Sequence, residues 1–150
     1  MIFTNIVPRV SETDGVGHIN NVFVPIWFEA GRREIFRIFS PKLDFINWKL
    51  ALVKVTVEYV DQLYLAEEVE IRTGIEKIGN SSFTIKEEIH QTNRLCAKGE
   101  AIYVNYNFKE KRSEAISDEI RDKLQSVKFL EKWYENNKYK VSNNIRGWWG

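Results

Sequence analysis

Residues 21–39 read NVFVPIWFEAGRREIFRIF, and this stretch decides the fold. Val22, Phe23, Ile26, Trp27, Ala30, Ile35, Ile38 and Phe39 recur at helical spacing, which predicts a helix of about five turns ending before Pro41. Asn20 or Asn21 can cap its first turn, and Pro25 lies near the start, where a missing backbone donor is tolerated best. In the first half the apolar residues spread around most of the circumference. That is the pattern of a helix enclosed by its own protein, so something must wrap it.

The wrapping comes downstream, between Leu52 and Phe108. Leu52, Val53, Val55, Val57 and Tyr59 open a run of β-branched and aromatic residues. Val69, Ile71, Thr73 and Ile75 then alternate with charged or small neighbours, and Phe83, Ile85, Glu87 and Ile89 alternate with Ser82, Thr84, Lys86 and Glu88. Gly79-Asn80 between these two strands is a tight-hairpin signal. A last strand places Ala97, Gly99 and Ala101 on one face, which leaves room for the Phe and Trp side chains of the helix. Ser117 caps a second helix that carries Ile120, Leu124 and Val127 and runs on to Phe129–Leu130.

Upstream, Ile2 to Val10 is β-prone and Ser11 to Gly17 is polar and turn-forming. The order is strand, long helix, antiparallel strands, terminal helix: an α+β layout with one sheet curled around a helix. No repeat or linker divides the chain. At 150 residues it can bury roughly 70% of its unfolded surface as one domain.

Composition excludes several classes of function. Lys and Arg number 22 against 21 Asp and Glu, which removes the broad basic footprint of a nucleic-acid binder. The single cysteine, Cys96, allows no internal disulfide and reads as a small buried hydrophobe, and no paired Cys/His spacing suggests a metal. Met1 to Val10 lacks the pattern of a secretory leader, and no apolar run reaches the roughly 20 residues of a membrane span, so a cytoplasmic protein without a membrane span is expected.

Chemistry concentrates in Glu12-Thr13-Asp14-Gly15-Val16-Gly17-His18-Ile19-Asn20-Asn21, between a strand and the start of the enclosed helix. A carboxylate and an imidazole meet a helix N-terminus, whose backbone donors carry partial positive charge and can hold the oxygen of a polarised carbonyl. Gly17 lets a ligand approach the backbone closely.

This segment resembles the acyl-coenzyme A thioesterases of the 4-hydroxybenzoyl-CoA thioesterase type. Their pattern of an acidic residue, Thr, Asp, two variable residues, Gly-His, an aliphatic residue and Asn-Asn is met by Glu12 through Asn21. The likeness continues through Trp27-Phe28-Glu29 and Arg32, through Glu68 to Arg72, and through Lys77 to Phe83, with Gln62 standing where that family commonly has proline. The resemblance implies a hotdog fold, a homodimer or homotetramer with sites at protomer interfaces, an acyl-CoA substrate, and no cofactor beyond the coenzyme A of that substrate. It implies Asp14 as nucleophile or general base and amides at the helix start as the carbonyl clamp. His18, Asn20 and Asn21 match positions that shape the loop, and Ser81-Ser82 lies near where coenzyme or acyl chain binds.

Each assignment has a plainer counterpart. Asp14 fits a turn, His18 a hydrogen-bonding brace, and Glu29, the second catalytic candidate, an ion pair with Arg32 three residues on. Phe23 and Trp27 line an acyl pocket or simply fill the core. Lys54, Lys77 and Lys86 meet coenzyme phosphates or belong to a solvated surface. Thioester hydrolysis itself asks little of an acid, because a thiol leaves with a pKa of about 8.5. Two rivals remain: a hotdog hydratase, which would carry an Asn-Pro absent here, and a hotdog module that binds acyl-CoA or acyl carrier protein without turnover. Residues 129–150 carry Trp133, Tyr134, Tyr139, Trp148 and Trp149, an aromatic extension expected to dock on the domain or on a neighbouring protomer.

Overall fold

β-branched residues at alternating positions draw five strands into one antiparallel sheet. The computed structural model describes residues 1–131. The strands are β1 (Ile2–Ile6), β2 (Leu50–Tyr59), β3 (Val69–Ile78), β4 (Ser82–Gln91) and β5 (Arg94–Asn107), in the spatial order β1-β3-β4-β5-β2, with a short β6 (Arg112–Ser113) paired to β5. The sheet curls around helices α1 (Phe23–Gly31) and α2 (Arg33–Phe39), and α3 (Asp118–Gln125) closes one end against α2 and β3. The α+β hotdog layout expected from the sequence is the one observed.

The helix and sheet meet where side chains are smallest. A β-carbon on Gly31 would lie 2.7 Å from Thr73 Oγ1, and one on Gly99 would lie 3.3 Å from Phe28 Cε2 and 2.5 Å from the Thr56 carbonyl oxygen. All three distances are shorter than ordinary carbon contact, so glycine at each position is what lets α1 and the strands approach. Phe28 is fully buried as a result.

The single helix expected over residues 21–39 is instead two, broken at Arg32. The break falls on the residue whose side chain reaches across to β4 and β5. Its guanidinium bonds both carboxylate oxygens of Glu87, with Nη2 donating to Oε2 at 2.9 Å, and Nη1 donates to the Tyr103 hydroxyl at 3.1 Å. The backbone tightens to follow, with Arg32 N–H donating to the Glu29 carbonyl and Ile35 N–H to that of Arg32, both at 3.0 Å. Arg32 is therefore paired with Glu87 and not with Glu29.

The break divides the core. Trp27 and Phe28 of α1 pack with Ile19, Leu63, Ile71, Ile89 and Ala97, whereas Ile35 of α2 packs with Ile75, Phe83, Ile85, Tyr103 and Leu124. The second group is rich in ring contacts: Phe83 stacks on both Phe39 and Tyr103 at centroid separations of 5.2 and 5.7 Å.

Other details depart from expectation. The tight hairpin expected at Gly79-Asn80 forms one residue further on: Ile78 pairs with Phe83 and Gly79 N–H donates to the Ser82 carbonyl at 2.7 Å, which leaves Asn80-Ser81 at the tip. A second two-residue turn is Thr92-Asn93, both at positive φ, between the paired Gln91 and Arg94. Helix α3 is capped by Ser117, whose Oγ accepts from Ile120 N–H at 3.3 Å, but it ends at Gln125 instead of continuing to Leu130. There the chain leaves the helix to pair with β3: Ile75 N–H donates to the Val127 carbonyl and Phe129 N–H to that of Ile75, both at 2.9 Å. The aromatic extension beyond residue 131 lies outside the described residues.

One edge of the sheet is unusual. Among the described residues the outer side of β2 has no strand partner, yet β2 exposes Leu52, Val53, Val55 and Tyr59. None of the described helices is long and apolar enough to cross a membrane.

Candidate active site

The segment from Glu12 to Asn21 folds into a loop held at both ends. Asp14 N–H donates to the His18 carbonyl at 2.9 Å, Thr13 bridges Ile19, and Asn20 N–H donates to the Glu12 carbonyl at 2.8 Å. Gly15 and Gly17 have φ of 89° and 93°, a region that side chains disfavour, so both glycines are required by the turn itself. Within it the Asp14 carboxylate accepts from Val16 N–H at 2.9 Å through Oδ1, while Oδ2 stands 3.8 Å from His18 Nδ1. The two side chains keep 37% and 40% of their surface exposed, so a reactant can reach them.

Beneath this loop lies a cavity of about 640 Å³. Asp14, Asn20 and Asn21 line it from the loop and helix start, Val24 from α1, Tyr59 to Leu63 from the end of β2 and the turn after it, and Cys96 from β5. Its inner wall is apolar: Ile19, Val24, Leu63 and Cys96 are all buried. Burial pushes the Cys96 thiol up, which keeps it neutral and unreactive.

The helix start is arranged differently from the simple picture of several free amides. Asn20 Oδ1 accepts from Val22 N–H at 3.2 Å, and the carbonyls of Asn20 and Asn21 accept from Phe23 and Val24. Among the described residues the N–H of Asn21 has no acceptor within the chain, and Asn21 is one of the residues that line the cavity. Tyr59 OH donates to the Asn21 carbonyl at 3.0 Å and so ties the exposed edge strand to this helix start.

Glu12 anchors the loop from below. It is 2% exposed, accepts from Trp27 Nε1 at 2.8 Å and from Arg9 N–H at 2.8 Å, and lies near the Arg9 guanidinium. Burial alone would push its carboxyl up, but the bonds from Trp27 and Arg9 together outweigh burial and leave it below its usual value. Trp27 is buried, and its polar tip is spent on Glu12.

The remaining sequence candidates are distributed as follows. Val24 lines the cavity, whereas Phe23 is half-buried against the core beside Trp27. Glu29 is exposed on α1 and is not among the lining residues. Lys77, Ser81 and Ser82 sit at the β3–β4 hairpin, and the ten residues of β4 put about 30 Å of extended chain between that hairpin and the Gln91 end of the strand. Within one chain they do not meet Asp14. Sequence reasoning gave no role to Tyr59, Leu63, Gln91 or Glu12, because what each touches is set by the pairing of distant segments. The acidic start of the motif was the only local signal.

A curled antiparallel sheet around a helix, with an acidic glycine loop at the helix mouth, defines a hotdog domain of the thioesterase type. The chain belongs to the Thioesterase-like superfamily, whose family model matches residues 8–124. It is similar to a predicted thioesterase from Bacillus stearothermophilus, with 55% identity and a TM-score of 0.82 over 85% of this chain and 96% of the other. A thioesterase from Thermus thermophilus complexed with coenzyme A and Zn shares the fold, with a TM-score of 0.73 at 21% identity, covering 83% and 92% of the two chains. The uncharacterized protein YsmA of Bacillus subtilis (strain 168) is 26% identical over 125 residues, 81% of this chain and 84% of its own length.

Proposed function

We propose that the protein hydrolyses an acyl-CoA thioester to a free acid and coenzyme A, with Asp14 as the catalytic carboxylate. One observation carries this reading: Asp14 and Asn21 line the same cavity, and among the described residues the Asn21 N–H has no acceptor. In this reading the Asn21 N–H receives the thioester oxygen as it gathers negative charge. As general base, Asp14 takes a proton from water while the resulting hydroxide attacks the carbonyl carbon. The tetrahedral oxyanion bonds to Asn21 N–H, then collapses and expels the coenzyme A thiolate. As nucleophile, Asp14 instead attacks the carbonyl carbon and displaces the coenzyme A thiolate, and water later cleaves the resulting acyl anhydride to the free acid and the Asp14 carboxylate. His18, 3.8 Å from Asp14, braces the loop or relays the proton.

The site also takes residues from a second copy in this reading. The exposed apolar edge of β2 and its Tyr59 link to the helix start favour a homodimer built on that edge. The partner subunit would then supply the groups around its own hairpin that meet the coenzyme. Light scattering that finds a monomer with full activity removes the shared site.

The deciding experiment measures thiol release from a panel of acyl-CoAs by wild type and Asp14→Asn. Asparagine keeps an oxygen for Val16 N–H, so the loop stays folded while the free carboxylate oxygen is lost. The expected outcome is retained binding with turnover down by about 100-fold or more. Unchanged turnover removes Asp14 from the mechanism, and binding without any wild-type turnover points to a non-catalytic module.

A further inference from the structure

The Asp14 loop is built against residues 63–65, which belong to none of the strands of the sheet, although Leu63 is buried in the core. Residues 17–19 pair with residues 63–65: Ile19 N–H donates to the Leu63 carbonyl at 2.8 Å, Leu65 N–H to that of Gly17 at 3.2 Å, and His18 sits opposite Tyr64 as an isolated bridge. The Tyr64 ring also meets the His18 imidazole edge-on at a centroid distance of 5.2 Å. In an extended segment successive residues turn their N–H and C=O groups to opposite sides. Leu63 and Leu65 face the loop, so Tyr64 must turn its own backbone groups away from it.

Those groups meet a single side chain. Gln91, at the end of β4 and 1% exposed, accepts from Tyr64 N–H at 2.9 Å through Oε1 and donates through Nε2 to the carbonyls of Tyr64 at 2.7 Å and Glu67 at 2.9 Å. A primary amide here takes the place of a strand partner, since it offers one acceptor and two donors in one plane. Its own backbone is fixed in the sheet, where Gln91 pairs with Val69 on one side and Arg94 on the other.

We propose that Gln91 is a positioning residue for the candidate reaction: it holds residues 63–65 in register, and through them the His18 and Asp14 loop, over the cavity. The inference rests on the hydrolase reading for its kinetic consequence and on geometry alone for its structural one. Glutamate is a poor substitute, since its second oxygen would confront two carbonyls, and methionine fills the space without making any of the bonds. Displacing a catalytic group by about 1 Å is enough to cost on the order of 100-fold in rate, so a loosened register is felt in kcat before it is felt in substrate binding.

The test compares wild type, Gln91→Met and Gln91→Asn, at a temperature where each is folded. Two readouts are taken: amide hydrogen exchange at Ile19 and Leu65 against Ile71 and Ile85, and kcat and KM for whichever acyl-CoA the wild type cleaves. In Gln91→Met, exchange at Ile19 and Leu65 should rise about tenfold or more while Ile71 and Ile85 are unchanged. kcat should fall roughly tenfold or more with KM within about threefold. Gln91→Asn keeps the amide on a shorter stem and should recover part of both, and it carries the test alone if Gln91→Met does not fold. Unchanged exchange at Ile19 and Leu65 overturns the proposal, and so does an unchanged kcat in a variant whose only defect is a lower melting temperature. If the wild type cleaves no acyl-CoA, the hydrolase reading fails, and the exchange measurement by itself decides whether Gln91 orders the loop.

Discussion

The Glu12 carboxylate and the Trp27 indole N–H, 2.8 Å apart and both buried, form the bolt between the Asp14 loop and helix α1. Because the folded protein holds this carboxyl below its ordinary value of 4.5, Glu12 contributes stability that is fully present above that value and is lost as pH falls through the lower folded one. Glu12→Gln should cost about 1–3 kcal/mol at neutral pH, since one of the two donors loses its acceptor. It should also make the acid side of a melting-temperature profile flatter than in wild type. A variant curve parallel to that of wild type down to about pH 3 excludes this role.

The Arg32–Glu87 pair is fully enclosed, and burial pushes the Glu87 carboxyl up against the opposing pull of the guanidinium. Arg32→Met or Glu87→Met alone leaves one charge in the core without its partner and should cost roughly 3–5 kcal/mol in urea denaturation. The double variant should cost clearly less than the sum. Strict additivity would mean that the two side chains do not depend on each other.

Glu29 lies on the exposed side of α1, outside the cavity that Asp14 lines. Glu29→Gln should therefore keep thiol release within about threefold of wild type where Asp14→Asn loses about 100-fold. A reversed ranking in the same assay moves the catalytic carboxylate to the helix.

At Gly74 a β-carbon would lie 2.5 Å from both Cα and N of Phe129. Gly74→Ala should push residues 127–129 off β3, at a cost of about 1–3 kcal/mol, and open the segment after α3 to limited proteolysis. An unchanged digestion pattern would indicate that the backbone pairing between Ile75 and Phe129 is dispensable.

How far the sequence reveals this protein depends on the range of the forces involved. The enclosure of α1 was readable because apolar residues circle it, and the small face of β5 was readable because Ala97, Gly99 and Ala101 alternate. The clustering of Asp14, Gly17, His18 and Asn21 in one loop was readable because they are neighbours in sequence. The break at Arg32 was not, because a helical pattern carries no sign of a glutamate 55 positions away. The turn at Thr92-Asn93 was missed for a related reason: a β-branched residue at positive φ runs against local preference and is held there by the ladder on either side. Tyr59, Leu63 and Gln91 share the same limit, since each acts through a segment brought to it by the sheet.

The charged latch at Arg32 separates an aromatic compartment from the one beneath the Asp14 loop, where we place the reaction. Heat tolerance and turnover can then be tuned in different rooms of one small building: denser ring packing around Phe83 and Tyr103 would raise the melting point without touching the floor beneath Asp14.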